Sequence, residues 1–297
     1  MNEIIECVPN ISEGKRKEVV KKIIENLEGT GVKILDYSSD SDHNRSVVTF
    51  VGNRETIIKG AMQIARDAVN LIDLRKHRGT HPRMGAIDVI PFIPIKNIRM
   101  KDCIEISRIV GKQIAEELKV PVYMYAESAT KPERKKLPNI RKGEFEGFFE
   151  KIKEPDWQPD FGAPIVHPTA GVTAVGAREF LIAYNINLNT TNIDIAKRIA
   201  RSIRESSGGL RYIQAKGMEL KDKGCVQVSM NILNYKKAPL YRIFEIVKTE
   251  AKRYGVSVKE SELIGLMPMD AALKSLAFYL QLPELSAKQI LESKIYE

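Results

Sequence analysis

Cysteine, tryptophan and histidine are scarce in this 297-residue chain, which has three, one and four of them. Cys7, Cys103 and Cys225 lie far apart in apolar segments. That spacing excludes a disulfide framework or a cysteine metal cage and reads as buried thiols in a reducing compartment. No apolar run approaches the ~20 residues that a membrane span needs. The start, Met1-Asn2-Glu3-Ile4-Ile5-Glu6, lacks the basic opening and apolar stretch of a signal peptide, so a cytoplasmic protein is expected. There is also no long basic tract and no aromatic signature of RNA binding. The net charge of +9, from 47 Lys+Arg against 38 Asp+Glu, therefore reads first as a solvated surface of interspersed signs. Attraction of a small polyanionic substrate and nucleic-acid binding are the other readings that charge permits.

What is present favours packed domains. Hydrophobic residues make up 43% of the chain, ample for cores, and the length suits two domains. After a strand at Ile4–Pro9, a helix is expected from Ser12 as N-cap, with Val19, Val20, Ile23, Ile24 and Leu27 at helical spacing. Strands at Val32–Leu35 and Ser46–Val51, a helix from Asn53 and a strand at Ala86–Phe92 follow. The same order returns in the second half: a strand at Phe180–Leu188 and a helix opened by Thr191 and stopped by Gly208-Gly209. Strands near Leu210–Ala215 and Val226–Leu233, a helix from Pro239 and a strand to Ile264 complete it. Both halves thus read βαββαβ, an α+β architecture of two tandem ferredoxin-like subdomains. Met100–Leu118 reads as an amphipathic helix. Ala129–Arg141 reads as a basic loop, Pro155–Gly176 as a long irregular stretch of the kind that is often functional, and Ser286–Ile295 as a closing helix.

The densest polar cluster runs from Arg75 to Gly85 and contains two of the four histidines, His77 and His81, among four cations. Arginine can grip a carboxylate with two parallel hydrogen bonds, and a positive field favours the neutral imidazole that accepts a proton. Zinc binding is disfavoured, because Gly79 and Pro82 oppose a shared helical face and no soft ligand lies close. Each histidine could instead brace a tight loop, or one could serve as general acid–base in acyl-type transfer.

The stretch Lys76-His77-Arg78-Gly79-Thr80-His81-Pro82-Arg83-Met84-Gly85-Ala86-Ile87-Asp88-Val89-Ile90-Pro91-Phe92-Ile93-Pro94 resembles the signature of the formiminotransferase family. Further ordered matches run along nearly the whole chain: Glu6–Gly14, Asn44-Arg45-Ser46, Leu137–Glu144, Pro159-Asp160-Phe161-Gly162, Gly176–Ala183 and Leu263–Leu266. The resemblance implies two ferredoxin-like subdomains, 1–177 and 178–297, forming a cleft that holds substrate, usually in dimers. It implies transfer of a formimino group between N-formimino-L-glutamate and N5 of tetrahydrofolate, in one-carbon metabolism and histidine degradation, with His81 as the catalytic residue and no metal. Folate binding falls on Gly162-Ala163-Pro164-Ile165-Val166-His167-Pro168-Thr169-Ala170-Gly171 and on Gly208-Gly209-Leu210-Arg211-Tyr212-Ile213-Gln214-Ala215-Lys216-Gly217.

Arg45 and Arg83 are expected to clamp substrate carboxylates. Lys131–Lys136 is expected to be solvated, with a folate polyglutamate tail as its other reading. Some family members carry an acidic residue where this chain has Ser38, so Asp36, Asp40 and Asp42 compete to orient His81. A fused cyclodeaminase is not expected. Formylglutamate or 5-formyltetrahydrofolate chemistry is the near alternative, and a nucleic-acid-binding ferredoxin-like protein the distant one.

Overall fold

The computed structural model describes residues 3–295. The chain divides into two compact units between Glu179 and Phe180. Each carries one sheet and its own apolar core, so the fold is α+β with two sheets.

The first unit comprises β1 (Ile4–Cys7), β2 (Asn10–Ile11), α1 (Lys17–Glu28), β3 (Lys33–Asp40), β4 (Arg45–Gly52), α2 (Arg54–Leu71) and β5 (Ile87–Lys96). It continues with α3 (Met100–Leu118), β6 (Val122–Ala126), α4 (Leu137–Arg141), α5 (Glu144–Lys151) and β7 (Thr173–Ala177). β1 and β2 are two pieces of one strand interrupted at Val8-Pro9, and both pair antiparallel with β4 on one side and β5 on the other. β3 pairs with β4. Beyond β5 the sheet turns parallel, through β7 to β6. Strands in parallel pairings are covered on both faces and read as continuous apolar runs. β7, Thr173-Ala174-Val175-Gly176-Ala177, is buried at every residue. It lies inside the stretch expected to be irregular, and its lack of alternation is the reason it was not recognised.

The second unit comprises β8 (Ile182–Leu188), α6 (Ile193–Ile203), β9 (Ile213–Leu220), β10 (Cys225–Ile232), α7 (Leu240–Arg253), β11 (Val258–Ile264), α8 (Met269–Leu280) and α9 (Leu291–Ile295). Its sheet is antiparallel in the order β11-β8-β10-β9. Each unit therefore places the four strands of a strand–helix–strand–strand–helix–strand series in the order fourth, first, third, second. The first unit adds two parallel strands.

Several boundaries differ from expectation. α1 starts at Lys17 because the Ser12 hydroxyl donates to the Gly85 carbonyl instead (2.7 Å). The Glu13 carboxylate accepts from the Lys15 and Arg16 amides (3.0 and 2.9 Å). α6 ends at Ile203, before Gly208-Gly209, and Asn192 rather than Thr191 caps it. The closing helix is broken, with a 3-10 turn at Ala287–Gln289 before α9. All three cysteines are free and buried. Among the described residues no helix is long and apolar enough to cross a membrane.

Glu6, on β1, is 4% exposed, and its carboxylate makes no hydrogen bond or ion pair among the described residues. Burial pushes its carboxyl up to about 7, and Arg178 pulls it partly back. A carboxyl whose folded pKa exceeds its unfolded value contributes stability below the unfolded pKa that is lost as pH rises through the folded one. Wild-type stability should therefore fall between pH 4.5 and 7, by on the order of 3 kcal/mol from this group. Glu6→Gln, which carries no charge, should gain on the wild type as pH rises across that window. Thermal melts of both proteins at pH 5 and pH 8 check this, and a pH-independent difference would refute it.

Candidate active site

The loop from Leu74 to Ala86 is fixed by main-chain bonds at both ends. The Leu74 amide donates to Thr169 O (2.8 Å), the Ala86 amide to Ala170 O (2.9 Å) and the Val172 amide to Met84 O (3.0 Å). In mid-loop it leans on the turn between β3 and β4, where the Thr80 amide donates to Asp42 O (3.0 Å) and the Asn44 side-chain amide donates to Arg78 O (3.1 Å). The approach is so close that a Cβ at Gly79 would collide with the His43 carbonyl. These contacts bring His81 beside Arg45, at the start of β4, and beside His43 in the turn.

The two loop histidines separate in role. His77 is buried, with Nδ1 accepting from Arg83 Nε (3.2 Å) and Nε2 facing the Asn44 carbonyl (2.8 Å). Both its nitrogens are engaged, and it braces the loop. His81 is half-buried, with Nε2 2.8 Å from Arg45 Nη1. A guanidinium only donates, so Nε2 holds the lone pair and the neutral ring carries its proton on Nδ1. Burial first, then the charges of Arg45 and Arg141 and the neighbouring His43, pull the His81 pKa down to about 3; the Pro82 carbonyl opposes this. The ring is neutral at physiological pH, as its cationic surroundings lead one to expect.

The cations around it are unequally satisfied. Arg141, at the end of α4, donates to the buried carboxylate of Asp88 (2.5 Å), whose other oxygen accepts from the Met84 amide (2.8 Å). Arg83 is gripped by Glu144 (3.1 Å) and Glu146 (2.6 Å); it anchors the loop to α5 and makes no contact with His81. Arg45 has no carboxylate within ion-pair distance among the described residues. Burial and then Arg141 lower its pKa, while Asp88 and Asp40 raise it. Of the three aspartates in question, Asp40 reaches the site, through His43. Its Oδ2 lies 2.7 Å from His43 Nδ1, and the His43 ring meets that of His81 edge-on at 6.1 Å between centroids. Partial burial pushes the Asp40 carboxyl up, but hydrogen bonds from the His43 amide and ring and the Asp42 amide outweigh this and hold it low.

Asp40 is one of three candidates from sequence, whereas the roles of His43, Asp88 and Arg141 emerge only from the fold. The polar run Asp40-Ser41-Asp42-His43-Asn44-Arg45 between two strands is the available signal for His43.

Of the two expected folate segments, 162–171 belongs to the same unit and is bonded directly to the His81 loop through Thr169 and Ala170. His167 Nδ1 accepts from the Ala170 amide (3.0 Å) and so shapes this turn, and Ile165 stands 71% exposed. The segment 208–217 lies in the second unit, leading into and along β9. There a Cβ on Gly217 would meet the α6 backbone near Lys197 N at 2.5 Å, so helix packing already requires that glycine. The basic stretch Lys131–Lys136 departs from expectation at Arg134, which is 2% exposed. Its guanidinium is bonded to Asp160 Oδ2 (2.7 Å) and to the carbonyls of Asp156 (2.9 Å) and Gln158 (2.6 Å).

A neutral imidazole whose lone pair faces an unpaired guanidinium is equipped to move a proton at an anionic substrate, the pattern of a group transferase without a charged nucleophile of its own. The chain belongs to the formiminotransferase family. Residues 4–178 match the formiminotransferase domain's N-terminal subdomain and residues 183–295 match the formiminotransferase domain. The chain is 50% identical to the glutamate formimidoyltransferase of Streptococcus pyogenes, with 99% of each chain covered. It is 47% identical to that of Thermoplasma acidophilum, over 98% of this chain and 97% of the relative. The formimidoyltransferase-cyclodeaminase of Rattus norvegicus is 44% identical over 94% of this chain and 53% of its own length.

Proposed function

We propose that the chain is a glutamate formimidoyltransferase, a folate-dependent one-carbon transferase that moves the formimino group from N-formimino-L-glutamate to N5 of tetrahydrofolate and releases glutamate. Full-length identity to two glutamate formimidoyltransferases supports this. The single structural observation that carries it is the neutral His81 ring held against Arg45.

Tetrahydrofolate supplies the nucleophilic N5 when bound. His81 accepts the proton that this nitrogen sheds as the new C–N bond forms, and returns it to the glutamate nitrogen as the old C–N bond breaks, so glutamate leaves as a neutral amine. Arg45 binds a donor carboxylate. Arg83, already shared by two glutamates, keeps the loop in place, and an incoming carboxylate would have to displace Glu146 from it. The turn 162–171, with its apolar Ile165 tip and its bonds to the His81 loop, suits a flat heterocycle; family resemblance assigns folate binding to 208–217 as well. The strand order of both units supports reading them as ferredoxin-like subdomains divided near residues 177 and 178. A cytoplasmic homodimer completes the proposal.

The test is purified protein with tetrahydrofolate and either N-formimino-L-glutamate or N-formyl-L-glutamate, monitored for glutamate release. Folate-dependent release from the formimino donor is the expected result. Release from the formyl donor alone would reassign the substrate, and no release from either would refute the enzyme reading.

A further inference from the structure

We propose that Arg45 keeps the lone pair of His81 engaged until a carboxylate of the donor substrate takes over the guanidinium, so that the substrate itself frees the base. This rests on the formimidoyltransferase reading and adds an order of events to it.

The argument starts from what a general base needs, a lone pair free to receive a proton. His81 Nε2 holds that lone pair, and Arg45 Nη1 occupies it at 2.8 Å. In the substrate-free protein the base is therefore capped by a cation. The cap also lacks a carboxylate partner among the described residues. Arg83 has Glu144 and Glu146, Arg134 has Asp160 and Arg141 has Asp88, whereas among the described residues Arg45 has only an imidazole nitrogen as side-chain partner. Hydrogen bonds between guanidinium and carboxylate are charge-assisted and often paired, and are stronger than a guanidinium–imidazole contact. A carboxylate entering beside Arg45 therefore wins it.

The other charged and titratable groups facing His81 leave no competing partner for that carboxylate. From α4, Arg141 is held by Asp88. From the β3–β4 turn, His43 is held by Asp40. Once Arg45 is paired with the donor, two effects act together. Nε2 is open, and the positive charge that opposed protonation of the ring is neutralised. His81 can then take one proton from the attacking nitrogen, becoming imidazolium while the C–N bond forms, and give it up to the departing nitrogen. No other proton source or sink is required. Without the donor, the ring neither takes up protons nor acts on folate.

The experiment follows the imidazole signal of His81 by NMR in full-length protein with isotope-labelled histidine, assigned by its loss in His81→Gln. The titration is run with and without saturating N-formimino-L-glutamate, in the absence of folate so that no turnover occurs. In the wild type the ring should stay neutral down to acid pH alone, and the donor should raise its midpoint by at least one pH unit, a tenfold change in proton affinity. In Arg45→Gln the midpoint should already be raised without donor and move little with it. That variant should also show an apparent KM for the donor at least tenfold higher, with Arg45→Lys recovering part of the loss because it still offers a cation to the carboxylate. A wild-type titration unmoved by bound donor, or an Arg45→Gln ring as resistant to protonation as the wild type, overturns the inference. Turnover with a donor-independent His81 titration refutes the gate alone, whereas a protein that neither binds nor turns over the donor refutes the underlying function.

Discussion

His81→Ala is expected to lower turnover by about 10²–10⁴, the range typical for loss of a positioned acid–base, while tetrahydrofolate binding survives. The reasoning is geometric. Among the described residues, His81 is the imidazole whose lone pair points at the unpaired cation of the site; His77 has both nitrogens bonded to its own loop. His77→Ala should therefore behave differently, harming stability and the placement of the loop more than the proton transfer itself. Steady-state rates for both variants, with folate binding measured separately, make the comparison. His81→Ala at wild-type turnover would end the assignment. Loss of folate binding together with activity would mean that the ring holds the loop and not the proton.

The largest expected effect on stability lies away from the chemistry, at Arg134. Its guanidinium lies over the Tyr123 ring, 5.1 Å from the centroid, and joins Asp160 to two carbonyls of the segment before it. Asp160 in turn accepts from the Met124 amide on β6 (2.7 Å). Arg134→Met keeps much of the volume but leaves Asp160 as an unpaired charge, 9% exposed in its side chain. Breaking one side of a buried pair costs about 3–5 kcal/mol. The double variant Arg134→Met/Asp160→Asn should lose less than the sum of the single changes, because the stranded charge is gone. Urea denaturation of the four proteins tests this. A loss below about 1 kcal/mol for Arg134→Met would show that the knot is dispensable.

Much of the architecture could be read from periodicity and caps. α2 begins where Asn53 announced it, with the Asn53 side chain and Thr56 forming a reciprocal cap, and α3 spans the residues its apolar stripe marks out. Two of the departures share a cause: a side chain used over a long sequence separation. Ser12 has the composition of a helix cap, but the partner of its hydroxyl lies 73 residues away, and no local pattern carries that information. The active-site loop shows the same limit. The cations from Arg75 to Arg83 suggested an anion site within the cluster, yet Arg75 pairs with Asp73 and Arg83 with Glu144 and Glu146. Arg78 bonds only to carbonyls, and the arginine that meets His81, with no carboxylate among the described residues, is Arg45, 36 residues before it. Asp40 could not be told from Asp36 and Asp42, nor His43 given a role, because their link to His81 exists only once the β3–β4 turn folds onto the loop.

The single tryptophan, Trp157, lies in the first unit, with the Lys151 ammonium 3.8 Å from its ring centroid and Arg134 at 6.0 Å. Indole fluorescence from this protein is thus a private channel. It registers the packing around Arg134 and is blind to melting confined to residues beyond Glu179. Far-ultraviolet circular dichroism collects helices and strands from both units, so any mismatch between the two signals on heating would resolve the units' separate transitions without a label.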